Sequence, residues 1–156
     1  MNKFKILIIM AGLFSWLTSC KGQQSENNNF QDDKFKEGQV WKYNTRSGEE
    51  NSTITILKVE KYDKDGIVIH IYVSGLKVKN PHKQSGQSDE IGHLPLSKEA
   101  ILKSVTTLVS ENNKLPDYEE GYENWKDAFY NNKGGVFSIT VQEAVKYVEE
   151  TMQNSK

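Results

Sequence analysis

Between residues 37 and 79, apolar and polar side chains alternate with the two-residue period of half-buried strands. In "EGQVWKYNTR", Trp41 and Tyr43 lie on one side of an extended chain and Val40 on the other, which predicts a first strand. A polar turn, "SGEEN", precedes "STITILKVEKY", where the parity changes: Ile54 and Ile56 share one face, Leu57 and Val59 the other. Such a change requires either cover on both faces or a bulge that shifts the register. "DKDG" makes a short hairpin connection to "IVIHIYVSG", which puts Ile67, Ile69, Ile71 and Val73 on one face and Val68, His70 and Tyr72 on the reverse. These segments predict an antiparallel meander with its aliphatic face turned inward.

The period changes after residue 79. "KNPHKQSGQSDEIGH" places Pro81, Gly86 and Gly92 among polar residues and predicts a loop, of a size that in compact domains is often functional or mobile. Ser97 then reads as the N-cap of a helix lined by Ile101, Val105 and Leu108, with the Thr106-Thr107 pair weakening its end. In "YEEGYENWKDAFYNNKGG", Tyr122, Trp125 and Phe129 stand three and four apart, the spacing of a second helix, which Gly134-Gly135 would end. "VFSI" has the length of a last short strand. In "TVQEAVKYVEETM", Thr140 and Glu143 form a capping box ahead of the stripe Val141, Val145, Val148 and Met152. The expected fold is therefore α+β: an antiparallel meander of about three strands plus one short strand, packed with two to three C-terminal helices. No internal repeat is present.

Ahead of this pattern, Lys3 and Lys5 precede an apolar run from residue 6 to 17, the length of a signal-peptide core and too short for a membrane span. Leu17-Thr18-Ser19-Cys20 resembles the lipobox of bacterial lipoproteins. That resemblance implies a diacylglycerol thioether on Cys20, cleavage before it and acylation of the freed amine. Two or more acyl chains make a stable anchor at about 0.8 kcal/mol per buried methylene. The alternative is a free or partner-bridging cysteine behind an uncleaved segment. By the resemblance, residues 1–19 are signal, 20–36 a lipidated tether and 37–156 one domain, anchored in the bacterial cell envelope, at the outer membrane facing the periplasm or the cell surface. "KGQQSENNNFQDDKFK" suits a tether, with Phe30 and Phe35 as apolar exceptions able to dock on the domain. Downstream, "GQVWKYNTR", "IGHLPLS" and "GGVFSITVQEAV" are similar to a family of small bacterial proteins with no assigned activity, a resemblance that contributes no catalytic residues.

Charge narrows the partners. The 156 residues carry a formal charge of −1, and losing residues 1–19 removes two lysines and no acid, which leaves −3. That balance excludes nucleic acid as an expected partner, and no second apolar run reaches spanning length.

The candidate chemistry is sparse. His82, Asp89, Glu90 and His93 fall in one predicted loop, and His70 could face the same side; these five are the candidate metal ligands. Their spacing is looser than structural zinc sites use, so solvated loop residues are the competing reading. Mid-strand and opposite the aliphatic face, His70 reads as a half-exposed or hydrogen-bonded histidine. There is no G-x-S-x-G elbow and no free thiol once Cys20 is lipidated, and no glycine-rich phosphate cradle, so no cofactor is expected. Glu119-Glu120 and Glu149-Glu150 read as solvated surface. Among the aromatic residues, Trp125 and Phe129 belong to a helical core stripe, whereas Tyr118 and Tyr130 fall off it and are candidate partner contacts. The expectation is a membrane-anchored binding or interaction domain, in an immunity or assembly role with an envelope protein partner, rather than an enzyme. The alternative is an envelope enzyme or a metal- or small-ligand-binding protein using the 82–93 loop.

Overall fold

The computed structural model describes residues 30–155; the expected signal, the 17–20 box with Cys20 and the expected tether up to residue 29 lie outside the described residues. The described chain forms β1 (Val40–Tyr43), β2 (Thr53–Tyr62), β3 (Gly66–Lys79), β4 (Gln87–Ser97), α1 (Lys98–Ser104), β5 (Val105–Ser110), α2 (Glu119–Tyr130) and α3 (Val141–Asn154). The strands make one antiparallel sheet in the order β4-β3-β2-β1-β5, so the fold is α+β.

A bulge in β2 accounts for the change of parity. Ile54 pairs with Val73 and Ile56 with Ile71; the register then shifts, and Lys58 pairs with His70 and Val59 with Ile69. Leu57 is the extra residue, and Val59 rejoins the face of Ile54 and Ile56. That face packs on Ile101 of α1 and on Val141, Ala144 and Val145 of α3 in the main core. The other face, carrying Lys58, Glu60 and Tyr62 of β2 with Val68 and His70 of β3, lies under α2, where Tyr62, Val68 and Phe129 form a second apolar cluster with Trp125 and Val136. Phe35 is 1% exposed and meets Trp41 edge-on at 5.6 Å, and the Asp32 carboxylate accepts from the Lys34 and Phe35 backbone amides, so the packed body begins ahead of β1.

Of the predicted 79–93 loop, residues 87–93 belong to a strand. A turn closed by the Asn80 amide donating to the Gly86 carbonyl at 2.9 Å leads into β4, whose Ile91, Leu94 and Leu96 enter the core. Pro95 is compatible with the strand because its carbonyl points outward, where it accepts from the Phe137 amide; its missing N–H therefore costs β4 no bond to β3. The predicted last strand "VFSI" contributes a single bridge, Phe137 to Leu96.

The first helix is shorter than expected. Ser97 caps it, accepting from the Ala100 amide at 3.2 Å, but it ends at Ser104. Val105 and Leu108 belong to β5, because Val105, Thr106, Thr107 and Val109 favour extended backbone and β1 supplies a partner. β5 touches β1 through three registered pairs with two register shifts between them. α2 ends at Tyr130 with Asn132 left-handed at φ 55, ahead of the glycine pair. α3 has the expected capping box at Thr140 and Glu143. Glu149 is not free surface: it accepts from Arg46 and from the Lys79 amide, and Arg46 also holds the buried Glu49 carboxylate. This knot ties α3 to the sheet.

Gly75 sits in β3 at φ +74, and a Cβ there would come within 3.1 Å of Ser52 Cα. Backbone rather than a flexible side chain blocks it. Gly75→Ala is expected to cost roughly 1–3 kcal/mol through left-handed strain and that clash, seen as a lower urea midpoint with an unchanged slope.

Candidate functional site

The second face of the sheet carries polar groups where an apolar core would be simplest. Because the β2–β3 hairpin pairs Lys58 with His70 and Glu60 with Val68, Lys58, Glu60 and His70 project from one face. α2 closes over them: Gly121 lets the helix approach so tightly that a Cβ there would lie 3.0 Å from His93 Cβ of β4. Glu60 is 5% exposed and His70 fully buried.

The Glu60 carboxylate is the hub. Its Oε1 accepts from the Tyr122 hydroxyl at 2.8 Å and lies 2.9 Å from Lys58 Nζ; its Oε2 accepts from the Tyr62 hydroxyl at 2.8 Å and from His70 Nε2 at 3.1 Å. Burial alone would raise its pKa, but the bonds from His70, Lys58, Tyr62 and Tyr122 more than offset that and hold it well below the usual carboxylate range. His70 Nδ1 meets His93 Nε2 at 2.9 Å, and the two rings stack with centroids 5.1 Å apart. Trp125 stands edge-on to His70 at 4.7 Å and stacks on Phe129 at 4.8 Å. Burial first, then the neighbouring His70, lowers the pKa of His93 to about 4.

His93 is half-buried and lines a cleft between β4 and the start of α2, with Lys83, Glu90, Asp117, Tyr118 and Glu120. Its Nδ1 has no hydrogen-bond partner among the described residues. Since no buried side-chain nitrogen or oxygen among them lacks a partner, that atom is in reach of solvent. The arrangement therefore runs from a buried anion through two imidazoles to an open nitrogen.

The five candidate metal ligands are thus divided. His70 and His93 come together; His82 sits in the β3–β4 turn and bonds the Ser155 hydroxyl at 3.1 Å; Glu90 accepts from the Tyr72 hydroxyl; Asp89 is exposed on β4. No group of three or more His, Cys, Asp or Glu among the described residues is placed to hold a metal ion. His70 is hydrogen-bonded but fully buried rather than half-exposed. Tyr118 lies half-buried on Tyr122 at 6.2 Å, and burial raises its pKa; Tyr130 is 37% exposed at the far end of α2. Sequence reasoning missed Glu60, Lys58 and Tyr122. Comparison with protein-family models, with curated proteins and with solved structures returns no match for this chain.

Proposed function

We propose that the chain is a lipid-anchored protein of the bacterial cell envelope whose domain binds a small polar ligand in the cleft between β4 and α2. The anchor rests on the 17–20 lipobox and its cysteine; among the described residues no helix is long and apolar enough to cross a membrane. The observation that carries the ligand reading is convergence: Glu90 and His93 of β4, candidates from one predicted loop, and Tyr118 at the start of α2, a candidate on other grounds, line one cleft.

Two measurements test it. Intact mass spectrometry of native protein should give acylated Cys20 at the N-terminus, and Cys20→Ala should move the protein from the membrane fraction to the soluble one. NMR titration of the full Cys20→Ala chain with glycerol, glycine and ethanolamine should shift the His93, Tyr118 and Gly121 signals saturably with at least one probe. Unmodified protein beginning at Met1 would overturn the anchor, and silence of those three residues toward every probe would overturn the cleft.

A protein partner is the second reading, favoured by exposed Leu108 and Val109 on β5 and by Tyr130. Affinity capture from solubilised envelopes with an anchored tagged chain separates the two; it should recover a partner that the Cys20→Ala form does not.

A further inference from the structure

The two edges of the sheet are built differently. β4 is closed on its outer side, where the Phe137 segment bridges Leu96; the Phe137 amide donates to the Pro95 carbonyl and the Ser97 amide to the Phe137 carbonyl, each at 2.9 Å. Toward its start the strand also carries Asp89 and Glu90, and charge and proline are the means by which sheets keep foreign strands off an edge. β5 has neither. Val105-Thr106-Thr107-Leu108-Val109-Ser110 is uncharged, free of proline and rich in residues that favour extended backbone. Among the described residues no strand or bridge lies on its outer side. Thr106, Thr107, Leu108 and Val109 are exposed, the last two at 37% and 52%. The two register shifts against β1 are the one edge-blunting device on the strand, and they leave these four successive residues open.

An open edge of this kind fits an extended strand that supplies complementary backbone groups. The flanking charges say which strand. Lys103 stands in the last turn of α1, just before β5, and Glu111 follows it directly. Antiparallel pairing of two copies carries Lys103 of each toward Glu111 of the other, whereas parallel pairing sets like charges side by side. The same register, centred on Thr107, faces Val105 with Val109 of the second copy and Thr106 with Leu108. Moving the centre to Leu108 would instead set Val105 against Glu111.

We propose that β5 is the docking edge for a second copy of this chain, paired antiparallel about a two-fold axis at Thr107 so that two five-stranded sheets join into one. The contact uses the same strand of both copies and the covered β4 edge offers no further site, so assembly stops at two. A six-residue strand pair is small beside the about 1,200 Å² at which standard interfaces begin, so the dimer is weak in dilute solution. Anchoring of both copies in one membrane supplies the concentration it needs. That last step rests on the anchor; the pairing itself does not. The second copy is thereby a defined occupant for the protein-partner reading.

Thr107→Cys tests the pairing in membranes that carry the native chain. Directly opposed Cα atoms of an antiparallel pair lie about 4.5–5.5 Å apart, within the span of a disulfide. Added diamide takes two electrons and two protons from the facing thiols and becomes the hydrazine as one S–S bond forms. The expected product is a covalent dimer of this chain, in a yield well above that of the unsubstituted chain and of Gln84→Cys, which is exposed in the β3–β4 turn. Adding Val109→Lys to Thr107→Cys places an ammonium against Val105 twice per dimer and should cut the yield roughly tenfold. Equal yields for Thr107→Cys and Gln84→Cys overturn the proposal, as does a yield that Val109→Lys leaves unchanged. Capture of a different protein by the introduced thiol also overturns it, while leaving the protein-partner reading in place. Sedimentation of the unsubstituted purified chain from micromolar to millimolar concentration needs no variant to fold: a rising dimer fraction is expected, and a monomer throughout would refute the pairing.

Discussion

Replacing Glu60 by alanine should destabilise the domain by roughly 3–5 kcal/mol, the loss typical of removing one partner from a buried charged network. Four donors converge on this carboxylate, and two of their residues, Tyr62 at 1% exposure and His70 at 0%, have no water to turn to. Alanine removes the carboxylate that the Tyr62 hydroxyl and the His70 N–H donate to and opens a void under α2. Glu60→Gln should cost less, because its amide still bonds each neighbour once. Urea denaturation followed by tryptophan fluorescence suits both, since Trp125 stands over His70. A loss below about 1 kcal/mol for the alanine variant would mean that the network is not closed in solution.

Acid should unfold the domain earlier than its carboxylates alone would require. In the unfolded chain His93 takes up a proton near its ordinary value of 6.5, whereas in the fold it does so only at about 4. Between those values the unfolded state binds more protons, so stability rises with pH across the window and falls as pH drops from 6.5 to 4. The sign is opposite to that of a histidine stabilised by an anion. Discounted for the half-buried position, the loss is about 2 kcal/mol. Glu60, Glu49, Asp32 and Glu149 then add to it below that window, each lowered by its partners and each losing its contribution on protonation. His93→Gln, whose amide can either donate to or accept from His70 Nδ1, should flatten the profile between pH 6.5 and 4 while leaving the steeper fall below it. Thermal melts across pH 7.5 to 3 read both segments, and parallel profiles for the two proteins would refute the assignment.

What could be read from the chain was local. The hairpin "KYDKDGIV", the Ser97 cap and the Thr140–Glu143 box each need a few neighbouring residues, and each stands in the structure. The Leu57 bulge was one of two outcomes open to a parity change, and the structure realises it. β4 was hidden because Gly92 and Pro95 punctuate it; what rescues Pro95 is the distant Phe137 segment. β5 was hidden because its extended form depends on β1, far back in sequence. The site divides the same way. Counting back from the paired Tyr62 and Gly66 reaches Glu60 beside Val68 and Lys58 beside His70, so that half was within reach of the sequence. His93 and Tyr122 join through β4 and α2, contacts that no periodicity encodes.

β5 also sets the order of events in time. The β2–β3–β4 ribbon closes through turns between neighbours, whereas β5 must return across more than sixty residues to reach β1. Chain-closure entropy places that step late in assembly. With three registered pairs interrupted twice, the β1–β5 seam should also be the first part of the sheet to breathe, exchanging its amide hydrogens while the ribbon over the Glu60 network stays protected.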